Sequence, residues 1–108
     1  AAAGRGKKAR STDALTSAGY QLFERLRQLR TAIAKEEGMP PYIIFSDKTL
    51  IDMCVKMPAD RRGMLAVSGV GENKFGKYGQ RFIDEITAFA ASHPGAVFGA
   101  EGLGDRLD

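Results

Sequence analysis

One histidine, one cysteine and no long apolar run set the first limits on this 108-residue chain. His93 stands alone, next to Pro94, so no histidine-based triad or metal cluster can be assembled around it. Cys54 cannot form an internal disulfide, and its place in an apolar helical pattern marks it as a small core residue rather than a nucleophile. An intracellular protein is the expectation. No window approaches about 18 consecutive apolar residues, which excludes a membrane span in this sequence. The Ala-rich start carries Arg5, Lys7, Lys8 and Arg10 in place of a signal peptide's apolar stretch. A Walker-type loop is missing too, so the chain cannot hydrolyse a nucleotide by itself in the usual way. The adjacent pairs Glu36-Glu37 and Asp84-Glu85 point in different directions around helices and do not form a carboxylate dyad. Strand periodicity is equally scarce. Ile43-Ile44-Phe45 is the only β-branched run, and it is too short to need a sheet.

What remains is helical. Leu22, Leu26, Leu29 and Ile33 recur at spacings of four, three and four, with Phe23 beside them, and Gly38 with the Pro40-Pro41 pair ends that helix. Ser46 is a good N-cap for a helix that presents Leu50, Cys54 and Met57 inward and closes at Pro58. Asp60 can cap a short helix over Arg61 to Ala66. A further short helix is expected from Glu72 to Tyr78, with Gly79 opening a last one whose face is Phe82, Ile86 and Phe89. The expected fold is all-α: a compact bundle of about five short helices over residues 19–91. Residues 1–18, rich in small and basic residues, are expected to be a flexible basic linker. Residues 92–108, glycine-rich and acidic at the end, are expected to be a disordered tail on which Val97-Phe98 could dock weakly. The net charge is only +3, but residues 1–30 hold seven arginines and lysines against Asp13 and Glu24. That arm either favours an anionic polymer or is a solvated linker.

Two motifs carry chemistry. The prolines of Met39-Pro40-Pro41-Tyr42 fix backbone φ and pre-position the Tyr42 ring, which can stack an unstacked base or merely pack over the first helix. Ser68-Gly69-Val70-Gly71, between two helical patterns, reads as a helix-hairpin-helix turn with Val70 pointing into the core. Gly69 and Gly71 free the backbone amides to meet a phosphate, with Lys74 and Lys77 as phosphate neighbours three apart, or they serve only a tight turn. A dinucleotide fingerprint is excluded, because no strand precedes the turn and Lys74 stands where a third glycine belongs. Arg27 and Arg30, on one flank of the first helix, could extend a cationic surface or simply form its solvated border.

The order of these motifs is specific. Leu22-Phe23-x-x-Leu26-Arg27-x-Leu29-Arg30, Pro40-Pro41-Tyr42-Ile43-Ile44-Phe45-Ser46-Asp47-x-Thr49-Leu50, Met57-Pro58, Met64-Leu65-x-Val67-x-Gly69-Val70-Gly71-x-x-Lys74 and Tyr78-Gly79-x-x-Phe82 together resemble the HRDC domain, the helicase-and-RNase-D C-terminal module, in the form found in bacterial RecQ DNA helicases. The resemblance runs from about Gly19 to Ala91. It implies a non-catalytic, auxiliary domain of an ATP-dependent 3′-to-5′ DNA helicase of recombination and repair, binding single-stranded or structured DNA, single-stranded in preference to duplex, and tuning substrate choice. Tyr42 and the Gly69–Gly71 hairpin are the surfaces to carry over, and with Lys74 and Lys77 as phosphate contacts little sequence preference is expected. It implies no cofactor for this stretch; ATP, magnesium and zinc would be held elsewhere in the parent helicase. The helicase core is a further expected partner, the domain is expected to be monomeric, and the location is the bacterial cytoplasm with its nucleoid. Two alternatives stand beside it: an RNA-binding domain of an RNase D-like nuclease, and a protein-docking module.

Overall fold

A computed structural model of the protein describes residues 12–99. The apolar stripe of the first helical pattern folds as α1 (Ser17–Glu37), which buries Leu22, Phe23, Leu26 and Ile33. Thr16 caps it, its hydroxyl accepting from the Gly19 amide, and Gly38 closes it in the left-handed conformation at φ 70°. Pro41 then sits at the first position of a single helical turn, α2 (Pro41–Ile44), where its missing N–H costs nothing. α3 (Asp47–Lys56) starts at Ser46, whose Oγ accepts from the Thr49 amide at 3.2 Å. It ends at Met57, left-handed at φ 50°, whose N–H donates to the Met53 carbonyl, and Pro58 follows as the stop. α4 (Arg61–Leu65) is capped by Asp60, which accepts from the Gly63 amide at 2.8 Å.

α5 (Glu72–Lys74), a π-helical turn (Phe75–Gly79) and α6 (Gln80–Ser92) then follow one another without a break. Gly79 therefore does not open a new helix. It lies inside the run, because a Cβ there would come within 2.3 Å of the Phe75 ring, which folds over it. Five helical rods result, as expected, and no strand is formed among the described residues.

The core lies where α1, α3 and α6 meet. Phe45 is its centre, packed edge-to-face on Phe82 at 5.1 Å and on Tyr78 at 6.2 Å. Leu22, Leu50, Met53, Cys54, Met64 and Ile86 are buried around it. Arg25–Glu85 and Arg81–Glu36 pairs, each at 3.0 Å, join α1 to α6 across the surface.

Both expected ends of the folded unit are corrected. Residues 12–18 do not form a linker: Thr12–Ala14 is a 3₁₀ turn, and helix α1 begins at Ser17. On the C-terminal side, Phe98 is buried against Phe89 with ring centres 5.9 Å apart. Thr16 donates its amide to the Phe98 carbonyl at 3.0 Å, and its hydroxyl bonds the Val97 carbonyl. Leu15 and Gly99 form an antiparallel bridge. Gly19 permits this closure, since a Cβ there would lie 2.1 Å from the Phe98 carbonyl oxygen. The remainder of the expected linker and tail, residues 1–11 and 100–108, lies outside the described residues.

Candidate nucleic-acid interface

The helical turn of α2 sorts four side chains by direction. Tyr42 and Ile43 face outward, and Ile44 and Phe45 face the core. Tyr42 is 68% exposed, so its ring is not packed over α1 and its face is open to a ligand. Pro40 is extended (φ −64°, ψ 145°) as the preceding cap. The Pro-Pro-Tyr segment is thus a helix start rather than the rigid loop that the sequence suggested. The prolines still fix where the ring emerges.

Arg30 is a correction. Its side chain is 9% exposed, too buried to extend a cationic surface. It donates to the Phe45 carbonyl at 3.0 Å and to Asp47 Oδ1 at 2.8 Å, which fastens α1 to the start of α3. Its Nε is buried with no hydrogen-bond partner among the described residues. The i, i+3 spacing from Arg27 placed both residues on one flank, but the α2 turn folds over that flank at Arg30 and leaves Arg27 outside. Arg27 is exposed, paired with Glu24 at 3.2 Å and lying 5.7 Å over the Phe23 ring. Both arginines already have intramolecular partners.

At the hairpin, Gly69 has φ 89° and a Cβ on it would meet the Thr49 hydroxyl at 2.3 Å. Glycine is required here by the turn and by the close approach of α3. Val70 is buried, as its place between the glycines suggested. Gly71 differs. Its φ is −103°, and a Cβ would meet nothing within 4 Å. The fold therefore sets no steric demand for glycine at 71, and the space beside it is open. Gly71 caps α5 without a side-chain cap bond, so the cap supplies no acceptor to the first amides of that helix. Glu72, the first residue of α5, pairs with Arg61 and puts one carboxylate beside these amides.

Lys74 is half-buried with its ammonium 5.8 Å from the centre of the Phe45 ring, whereas Lys77 is exposed. The π turn between them replaces the α-helical spacing on which a shared face was expected. Phe45 and Thr49 connect the two motifs. Phe45 follows α2 and takes Lys74; Thr49 lies under Gly69, and its hydroxyl is 3.2 Å from that of the Ser46 cap. Lys74 thus meets the segment after α2 through Phe45, and the hairpin meets α3 through Thr49.

Two residues that sequence reasoning missed hold the hairpin in place. Asp52 is 2% exposed, accepts from the Ser68 amide at 2.9 Å and pairs with Lys56 at 3.0 Å. Thr49 supplies the surface under Gly69. Asp52 carried a readable signal: a lone carboxylate between Ile51 and Met53, four residues before Lys56. Lys48, exposed beside Tyr42 and without a partner among the described residues, was also missed. Nothing in the spacing distinguishes it from a solvated lysine.

No reactive group gathers near these surfaces. Burial pushes the Cys54 thiol up to about 12, so it stays protonated. His93 stacks on Phe89 with centroids 4.1 Å apart, and its Nδ1 lies 2.9 Å from the Phe89 carbonyl. Among the described residues no group of three histidine, cysteine or acidic side chains could hold a metal ion. No helix there is long and apolar enough to cross a membrane.

Comparison with known proteins follows the same stretch. The HRDC domain family matches residues 20–86. ATP-dependent DNA helicase RecQ of Bacillus subtilis (strain 168) is 50% identical over 70 residues, which is 65% of this chain and 12% of that protein. RecQ of Haemophilus influenzae is 48% identical over 62 residues, 57% of this chain and 10% of the relative. The chain thus spans about a tenth of the length of the curated relatives it matches. Among solved structures, D. radiodurans RecQ HRDC domain 3 superposes with a TM-score of 0.64 at 32% identity, covering 67% of this chain and 95% of that one.

Proposed function

The chain belongs to the HRDC domain family, and we propose that it serves as an auxiliary, non-catalytic domain of a RecQ-type ATP-dependent DNA helicase, where it binds single-stranded DNA and tunes substrate choice in recombination and repair. The observation that carries the reading is the Tyr42 ring, 68% exposed on a proline-fixed helix start. A protein interior would take up a free aromatic face; single strands offer unpaired bases that stack on one, at about 1–3 kcal/mol per base. Tyr42 stacks a base, and Lys74, Lys77 and the amides beyond Gly71 take phosphates. Gly69 serves as the pivot of the hairpin rather than as a contact. Arg27 and Arg30 drop out of the contact set for the reasons above.

The parent protein, in this reading, is a bacterial helicase that works on DNA in the cytoplasm and holds ATP, magnesium and zinc in parts outside this stretch. The domain acts as a monomer beside the helicase core. Anisotropy with a labelled oligothymidine tests the reading. Tyr42→Ala is expected to weaken binding about tenfold, since one lost stack is worth about 1–3 kcal/mol. Lys74→Ala is expected to weaken it less and to flatten its salt dependence. Unchanged binding by both variants across a salt series would dismiss the assigned surface. Equal or tighter binding to single-stranded RNA would favour a nuclease-type domain instead.

A second reading has its own observation. Ile43 is 42% exposed beside Tyr42, and a groove at Pro40 and Pro41 is lined by Ala34 and Met39 together with Thr31, Lys35 and Gly38. This apolar strip suits docking to the helicase core, and capture of a core fragment without any DNA binding would establish that role.

A further inference from the structure

The groove beside Tyr42 contains a second, differently charged group. It is lined by Arg30, Pro41, Tyr42, Ser46, Asp47 and Lys48. Asp47 is the first residue of α3, with its side chain 63% exposed, yet it is not free to wander. Buried Arg30 grips its Oδ1 at 2.8 Å and is itself anchored on the Phe45 carbonyl. Oδ2 has no partner among the described residues. A carboxylate held this way is a fixed acceptor at the edge of an aromatic platform. Lys48, the next residue, supplies a cation on the same groove.

This arrangement distinguishes bases by their hydrogen-bonding edges. An ionised carboxylate only accepts. Cytosine presents its N4 amino group as a donor, while thymine presents the O4 acceptor at the corresponding position. From this, resting on the single-strand reading above, we infer that the Tyr42 groove is base-selective: it takes a base that offers an exocyclic amino group to Asp47 and disfavours thymine. The base stacks on Tyr42, its amino group donates to Asp47, and Lys48 meets the adjoining phosphate. Phosphate contacts elsewhere on the surface carry no sequence information. The selectivity therefore adds to the sequence-blind binding expected from the hairpin.

The test compares oligodeoxycytidine with oligodeoxythymidine of equal length by anisotropy, at mildly alkaline pH where cytosine is unprotonated. The parent domain is expected to bind the cytidine strand about three- to tenfold more tightly, the scale of one base-edge contact that remains partly exposed. Asp47→Asn removes the charge and keeps an oxygen for Arg30, Asp47→Ser removes the carboxylate altogether, and each is expected to bring the two strands to within a factor of about two. Thermal melts by circular dichroism confirm that a variant used is folded. Lys48→Ala is expected to weaken both strands alike and to keep their ratio. Equal binding of the two strands by the parent overturns the base selectivity alone and leaves the single-strand reading standing. A ratio retained in the Asp47 variants, or tighter binding of thymidine by the parent, also overturns it. Absence of binding to both strands overturns this inference and the single-strand reading together.

Discussion

The two hairpin glycines look alike in sequence and differ in consequence. Gly69→Ala forces a Cβ onto the Thr49 hydroxyl at a backbone φ of 89°, and should cost about 2–3 kcal/mol. Gly71→Ala meets open space at an ordinary φ, and should cost less than about 1 kcal/mol as a poorer N-cap. Urea melts of the two variants should separate them clearly; equal midpoints would show that the turn is not strained as described. Cys54 gives a second prediction at this scale. Its thiol is raised from 9.0 to about 12 by burial, so above pH 9 the unfolded chain has lost a proton that the folded chain keeps. Folding stability from this group is full below pH 9 and falls as pH rises towards about 12, by at most about 1.4 kcal/mol per pH unit. Cys54→Ala should remove that alkaline slope, measured as the difference from the parent between about pH 8 and pH 10.

At the scale of elements, the connections that matter join segments distant in sequence. Asp52 reaches from α3 to the Ser68 amide and so fixes the hairpin against the helix that carries Ser46 and Thr49. Asp52→Ala leaves that amide without its acceptor and Lys56 with only the Ala66 carbonyl, and a loss of about 1–3 kcal/mol is expected in chemical denaturation. The segment after α6 is the other such connection. Phe98 fills a site against Phe89 while its carbonyl binds the Thr16 amide, so Phe98→Ala should cost about 2–4 kcal/mol. For a domain of this size each kcal/mol lowers Tm by about 4–8 °C. A melting temperature within a degree of the parent would mean that the segment contributes nothing to the fold. The caps at Ser46 and Asp60 and the stop at Gly38 were legible because each is a local pattern of two to four residues. The docking of Val97-Phe98 was only half legible. Its partners, Thr16 and Gly19, lie about eighty residues away, and no short-range period records such a pairing.

For the whole molecule, DNA binding should follow the cations that the fold leaves without carboxylate partners. Among the described residues, Arg25, Arg27, Arg30, Lys56, Arg61 and Arg81 are paired with acids, whereas Lys35, Lys48, Arg62, Lys74 and Lys77 are in no ion pair, and of these the proposed contacts are Lys48, Lys74 and Lys77. With these lysines as the phosphate contacts, log K should fall against log salt with a slope of about −2, and Lys74→Ala should reduce its magnitude by about 0.7. A slope near zero in a salt titration would mean that the lysines are not used. The net charge of +3 could not have indicated this, because it counts paired and unpaired groups alike. The sequence by itself determined the helical class, the caps, the apolar faces and the family, since these rest on local spacing and on motif order. Tertiary structure decided which side chains a ligand can reach. It buried Arg30 under α2, left Tyr42 open, required glycine at 69 but not at 71, and put Asp47 on the same groove as Tyr42. Exposure and partnership depend on which distant segments pack together, and that packing is a property of the folded chain as a whole.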